Sequence, residues 1–289
     1  MIYIGTSGYG YHDWATCFYP SEIPHEEYLG FYTKRFTACE LNFTTYRLAG
    51  VEEQEKLVME SAGKLVFTVK AHRQLTHERL TDFTFARRFA ASLTPLYESG
   101  RLGSVLAQFP QSFINNQEYR AYLCRLRAAL DRVPLVTELR HPSWYDDTTL
   151  DFLRGWGIGT ASVDGPSLPG FPGPRALATS DVGYVRFHGR DTALWWQKKG
   201  ASRYDYDYNP KELLSWLPRL REIEKRTRAV FVIFNNHWRG KAAANALSLQ
   251  QLLNQSRARM AARRLSRRGT RRSPSRIVLE PLHAAGAYV

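Results

Sequence analysis

Eight times within the first 240 residues, a short run of apolar or β-branched residues gives way to polar ones, and most of these runs lead into a helical pattern. The runs are Ile2 to Gly5, Ala38 to Leu41, Leu65 to Val69, Ser104 to Gln108, Leu135 to Leu139, Gly159 to Val163, Gly183 to Phe187 and Val230 to Phe234. Strands separated by helix-length segments cannot pair as hairpins; they pair in parallel, and a parallel sheet needs both faces covered. Eight such units predict a single α/β domain, a (β/α)8 barrel of the TIM type, with an open doubly wound sheet as the alternative. A chain of 289 residues holds one such domain and a remainder.

Helices are expected at Glu52 to Ala62, Phe83 to Glu98, Gln117 to Leu130, Thr148 to Trp156 and Lys211 to Arg226. In the second of these, Phe85, Phe89, Leu93 and Leu96 fall three or four apart, giving one apolar stripe, and Asp82 can cap it. The unit after the sixth strand is irregular: four prolines and three glycines between Gly165 and Pro174 predict a loop in place of the helix. No further interruption marks a second domain. Residues 1–253 are therefore read as the barrel and 254–289 as a flexible, arginine-rich extension.

The formal net charge is +13, and its location matters more than its size. Arg257, Arg259, Arg263, Arg264, Arg267, Arg268, Arg271, Arg272 and Arg276 fall in one stretch with no acid among them; subtracting these nine leaves +4 for the rest. The stretch is compatible with helix to about Leu265, after which Gly269 and Pro274 break it. It is either a solvated extension or an arm for nucleic-acid phosphates, and it lacks the interleaved aromatics that would stack bases. Three cysteines, Cys17, Cys39 and Cys124, form no C-x-x-C pair, which fits a reducing compartment. With no basic leader ahead of an apolar run, and no apolar run of about 18 residues, a soluble cytoplasmic protein without a membrane segment is expected.

In a parallel barrel the segments following the strands gather on one face. They carry Thr6, Ser7 and the stretch from Tyr9 to Trp14; Glu40, Asn42 and Tyr46; Lys70 and His77; Gln108; Glu138, Arg140, His141 and Trp144; Asp164; Arg186, His188, Arg190 and Asp191; Asn235, Asn236 and His237.

Several of these stretches form a recognisable series: Gly5-Thr-Ser-Gly-Tyr with Trp14, Glu40-Leu-Asn-Phe-Thr-Thr-Tyr-Arg47, Phe67-Thr-Val-Lys-Ala-His-Arg73 with Thr76-His77, and Gln108-Phe-Pro-Gln-Ser-Phe113. Glu138-Leu-Arg-His-Pro-Ser-Trp144, Tyr184-Val-Arg-Phe-His-Gly-Arg190 and Phe234-Asn-Asn with Asn245-Ala-Leu247 complete it. Over residues 2 to 253 the series resembles the YecE-like family, domain-of-unknown-function family 72, with the arginine-rich extension outside the resemblance. The resemblance implies a TIM-barrel-like fold and no established reaction.

Glu40 and Glu138, with Asp164 nearby, can divide general acid and base roles if their environments differ, or each can simply hold a neighbouring cation. Lys70, Arg140, Arg186 and Arg190 can clamp a phosphate or carboxylate, or balance those acids. Lys70, if desolvated, is also a possible Schiff-base nucleophile. His77, His141 and His188 lack metal-ligand spacing and stand among cations, so hydrogen-bonding roles are expected and no metal or other cofactor. Tyr9, Tyr11, Trp14, Tyr46, Trp144, Trp195, Trp196 and the Tyr204 to Tyr208 run can stack a ring or fill loop cores. Gly5 to Gly10 matches neither nucleotide-binding fingerprint.

Taken together, the residues predict an enzyme using general acid-base chemistry, of hydrolase or lyase type, on a small anionic or phosphate-bearing ligand. Glu40, Glu138, Lys70 and His188 are the candidate catalytic groups. Ser7, Trp14, Asn42, Tyr46, His77, Arg140, His141, Trp144, Asp164, Arg186, Arg190, Asn235 and Asn236 are the candidate substrate contacts. The alternative is a nucleic-acid-binding module that uses the basic, aromatic mouth and the arginines from Arg257 to Arg276 without catalysis; a third is a scaffold with an idle mouth.

Overall fold

The computed structural model of the chain describes residues 1–168, 171–195 and 204–269, with side chains for all of these but 194–195 and 263–269. Eight strands close into one parallel barrel in chain order. They are β1 (Ile2–Ser7), β2 (Ala38–Leu41), β3 (Val66–Lys70), β4 (Leu102–Gln108), β5 (Leu135–Glu138), β6 (Gly159–Asp164), β7 (Val182–Phe187) and β8 (Ala229–Phe234). The ladder between β1 and β8, from Ile2 opposite Val230 to Thr6 opposite Phe234, decides for the barrel over the open sheet.

The helical ring contains α1 (Tyr28–Thr33), α2 (Val51–Glu60), α3 (Arg73–Thr76), α4 (Thr84–Ser92), α5 (Thr94–Glu98), α6 (Gln117–Ala129), α7 (Asp147–Gly155), α8 (Thr192–Trp195), α9 (Pro210–Arg226) and α10 (Lys241–Gly269). The single helix expected from Phe83 to Glu98 is two. Pro95 has no N–H to continue the ladder, which suits it to the first turn of a new helix, so the chain turns at Leu93 and restarts. The apolar stripe survives the break: Ala86, Phe89, Leu93 and Leu96 are buried, and Phe85, half-buried, packs against His72 instead. Asp82 does accept the Thr84 N–H, at 2.9 Å.

Among the described residues no helix lies between β6 and β7. The end of this connection lies back on the sheet, Leu177 N donating to Ser162 Oγ at 2.9 Å and Thr179 Oγ1 to the Ile158 carbonyl at 2.7 Å.

Strand alternation sorts the interior. Ala38, Leu106, Val136, Ala161, Val182, Tyr184, Phe231 and Ile233 pack as its apolar core. Gly103 makes room for Phe231, since a Cβ there would sit 2.3 Å from Phe231 Cζ. Two residues further along their strands, toward the C-terminal end, the same inward face carries Glu40, Gln108, Glu138 and Arg186, while Thr68 puts Lys70 on the inner side of β3. The sheet thus changes from apolar filling to ionised side chains within one layer.

Residues Met1–Gln250 form one compact unit, and from Gln251 the chain groups into a second, of which the helical stretch through Gly269 is described. Helix α10 runs past Leu265 to Gly269, and Arg257 and Arg259 on it are exposed. Arg271, Arg272 and Arg276 lie outside the described residues, as does Trp196; the side chain of Trp195 is likewise not described. Among the described residues no helix is long and apolar enough to cross a membrane.

Candidate functional site

The ends of β2, β5 and β7 bring Glu40, Glu138 and Arg186 into one buried network. Arg186, 1% exposed, donates Nη2 to Glu40 Oε1 and Nη1 to Glu138 Oε2, each at 2.7 Å. Nη1 also reaches Gln108 Oε1 at 3.2 Å, and Nη2 approaches Ser7 Oγ at 3.5 Å. Burial disfavours the guanidinium charge, but the two carboxylates and Tyr184 outweigh it and hold the group above its usual range.

Glu40 has its oxygens committed to the protein: Oε1 also accepts from Ser7 Oγ at 2.5 Å and Oε2 from Tyr184 Oη at 2.8 Å. Asn42 Nδ2 donates to Ser7 Oγ at 2.8 Å, extending the chain to the rim. Glu138 faces burial too, yet Arg186, His188 and Arg140 hold its carboxyl well below the usual carboxylate range. Arg140 Nε lies 3.5 Å from Glu138 Oε1 and its side chain is partly exposed.

His188 Nε2 lies 3.2 and 3.3 Å from the two Glu138 oxygens, and Asn235 Nδ2 lies 3.0 Å from its Nδ1. An Asn235 N–H into Nδ1 and a His188 Nε2–H into the carboxylate satisfy both contacts in the neutral ring. Burial lowers the His188 pKa below its usual value despite Glu138, which agrees with that neutral ring. Beside this pair a cavity of about 20 Å³, lined by Glu138, Arg140, Val163, Pro166 and Phe171 among others, has room for about one water.

Lys70 differs from every other charged group of the mouth. Its backbone carbonyl accepts Thr44 Oγ1 at 2.6 Å, but its Nζ has no hydrogen bond or ion pair with any of the described residues. Burial first, then Arg186 and Arg140, push the ammonium down to about 8, against the opposing pull of Glu40 and Glu138. His77, exposed, is lowered by partial burial and by Lys70, Arg140, Arg73 and Arg79, so this quarter of the rim carries a positive field. Among the described residues no group of three or more His, Cys, Asp or Glu is arranged around a metal-sized point.

Other expected contacts are placed elsewhere. Asp164, expected beside Glu138, is turned outward by alternation along β6, and there it accepts Arg190 Nε and Nη2 (2.8 and 2.6 Å), Tyr208 Oη (2.9 Å) and Trp216 Nε1 (2.6 Å). Arg190 also meets Glu212 at 3.2 Å, so it staples β6 to α9 and does not join the anion clamp. Arg186 leaves that clamp as well, because its terminal nitrogens are already on carboxylates. Trp14 and Trp144 are fully buried, their indole N–H groups donating at 2.7 Å to the carbonyls of His237 and Phe113, so neither offers a face to a ligand.

Asn236 is buried and points outward, Nδ2 donating to the Tyr206 carbonyl and to Asn245 Oδ1. His141 closes its own turn on Ser143, with Nδ1 2.7 Å from the hydroxyl. Tyr46 stands 75% exposed at the rim. Gln108, already placed at the mouth but not counted among the candidate contacts, joins the network, and so does Tyr184, which was legible in principle as the inward residue one alternation before Arg186. Glu212 and Trp216 on α9 carried no local signal, since their partners Arg190 and Asp164 lie far away in sequence, and Tyr208, counted only in an aromatic run, turns out to hold Asp164.

A family model described as a protein of unknown function, DUF72, matches residues 3–270. The match runs beyond residue 253, where the resemblance was read to end, and takes in the arginines from Arg257 to Arg268. UPF0759 protein YunF of Bacillus subtilis strain 168 is 32% identical over 282 residues, 92% of this chain and 99% of that protein. A DUF72 family protein from Thermotoga maritima MSB8, known by crystal structure, superposes with a TM-score of 0.81 at 35% identity, over 88% of this chain and 99% of that one. A second, from Enterococcus faecalis V583, gives a TM-score of 0.76 at 27% identity, over 88% and 96%.

Proposed function

The chain belongs to the DUF72 family, and from that premise we propose that it is a barrel enzyme that captures a small anionic substrate at its mouth and acts on it by proton transfer, in a reaction of hydrolase or lyase type. One observation carries this reading: the Lys70 amine, without a protein partner among the described residues, stands in the mouth beside Arg140 and His77. A half-buried cation left without a protein counter-ion in a positive field is a ready point of attachment for an anionic ligand. Arg140 supplies the fork and Lys70 the mobile charge. Glu40 anchors Arg186, and Arg186 sets the position of Glu138. Glu138 and His188 border the water-sized cavity and are the groups through which a proton would pass to or from solvent.

Calorimetric titration with inorganic phosphate and with glycerol 3-phosphate tests the capture. Wild type is expected to bind, and Lys70→Gln and Arg140→Gln each to weaken binding by about tenfold, which is about 1.4 kcal/mol. Equal affinity in all three proteins would contradict the reading.

A second reading has its own support. The family match extends over the first arginines of α10, which supports reading the basic helix together with the barrel. Nucleic acid held there without chemistry would bind with a steep salt slope that truncation after Asn254 abolishes. Persistence of the slope in the truncated chain would move that binding to the barrel.

A further inference from the structure

Resting on the capture reading above, the chemical identity of the captured group can be narrowed. Three features of Lys70 coincide. It lies on the inner face of β3, in line with Thr68, whose hydroxyl is 2.8 Å from Tyr184 Oη in the barrel interior. Its backbone is fixed on both sides, its own carbonyl taking the Thr44 hydroxyl and the Ala71 N–H donating to the Leu106 carbonyl at 2.9 Å. Its Nζ, alone among the ionised groups of this network, has no bond or ion pair with the described residues, although two carboxylates stand in the same mouth. Those carboxylates do not quench the amine because Arg186 already occupies them at 2.7 Å each. An amine held by a rigid strand end and denied a counter-ion by a guanidinium clamp is built as a nucleophile.

We propose that Lys70 attacks the carbonyl carbon of an aldehyde or ketone bearing a carboxylate or phosphate, forming an imine, with Arg140 holding the anionic end. The Nζ lone pair makes the C–N bond as the carbonyl π pair moves to oxygen, and a proton passes from nitrogen to that oxygen to give a carbinolamine. Protonation of its hydroxyl and departure of water then leave the iminium, so that one water is released and nothing is oxidised or reduced. The iminium draws electrons from the adjacent carbon. A proton or a carbon–carbon bond there can then be released, its electron pair moving into an enamine, which selects the lyase side of the proposed chemistry. The groups that bear on the free-amine fraction are Glu40 from β2, Glu138 and Arg140 at the end of β5, and Arg186 from β7. Their balance with burial lowers the ammonium to about 8, so a larger share of Lys70 is unprotonated at neutral pH than of an ordinary lysine.

Reductive trapping of the full chain tests this. The protein is incubated at neutral pH with sodium cyanoborohydride and, separately, glyoxylate, pyruvate, dihydroxyacetone phosphate or uncharged propionaldehyde, and the modified lysines are quantified by peptide mass spectrometry. Lys56 and Lys225, both well exposed, serve as internal references within the same folded molecule. At least one anionic carbonyl is expected to label Lys70 about tenfold or more above the references. Propionaldehyde is expected to show a smaller preference, and Lys70→Arg to lose the excess label while Lys56 and Lys225 are unchanged. Labelling of Lys70 no greater than the references with every anionic carbonyl overturns the covalent step. If phosphate affinity still depends on Lys70 in that case, the capture reading stands without it; if that dependence is also missing, both fall. The wild-type label distribution decides the matter by itself, so the test holds even where a variant fails to fold.

Discussion

Glu40 and Glu138, carried by β2 and β5, are tied to one another through the guanidinium of Arg186, which donates to each at 2.7 Å. All three side chains are at most 1% exposed. The arrangement fixes two acids at set positions across the mouth and, by occupying one oxygen of each with a single guanidinium, leaves Lys70 without a direct counter-ion.

Removing the bridge should therefore damage stability before anything else. Arg186→Met leaves two buried carboxylates without their counter-ion and is expected to lower the unfolding free energy by about 3–5 kcal/mol in urea titration. Arg186→Lys, which keeps the charge but not the fork, is expected to fall between that and wild type. A loss under about 1 kcal/mol for Arg186→Met would mean that the network is not buried as described.

Acid should unfold the protein in two stages. His188 has a folded pKa below its ordinary 6.5, so below that pH the unfolded chain takes up a proton that the folded ring refuses, and stability falls. Glu138 has a folded pKa well below 4.5; its contribution is complete above 4.5 and is lost as pH drops through that value toward the depressed one. Urea midpoints measured against pH are expected to decline from about pH 6.5 and more steeply below about 4.5, with Glu138→Gln flattening the lower part. An unchanged lower limb in that variant would show that the carboxylate is not held as an anion.

Two expected ligand contacts should instead prove structural. Asp164→Asn weakens the grip on Arg190 and is expected to cost about 2 kcal/mol, and Trp144→Phe about 1 kcal/mol through the lost bond to Phe113. Neither should alter phosphate affinity in calorimetry. A change of tenfold or more in either would return that residue to the site.

Gly189 directs the chain away from His188 with φ of +93°, and a Cβ there would meet Tyr206 Cβ at 2.6 Å. Gly189→Ala is expected to cost about 1–3 kcal/mol, read as a lower urea midpoint. Wild-type stability in this variant would refute the strain.

The fold was legible because strand-length apolar runs at helix-length intervals admit few topologies, and seven of the eight expected strands needed only small changes at their ends, while Ala38–Leu41 needed none. Proximity at the mouth was legible for the same reason. Direction was harder. Asp164 and Asn236 sit at strand ends like Glu138 and Asn235, yet one step of alternation sends them into the helical layer, and the alternation is visible only once the inward set is known. Trp14 and Trp144 looked like stacking platforms because position within a loop does not reveal depth. Helix α1 was missed for a different reason: six residues rich in aromatics give too short a pattern to read. The Arg186 clamp joins strands far apart in sequence, so no spacing rule could have announced that its charge was already taken.

The most direct measurement is the titration of the Lys70 amine itself, read by NMR on protein carrying isotope-labelled lysine, with and without inorganic phosphate. The account predicts one lysine resonance, absent in Lys70→Arg, with a midpoint near 8 that moves upward when phosphate binds. A Lys70 resonance that titrates with the surface lysines and ignores phosphate would contradict it.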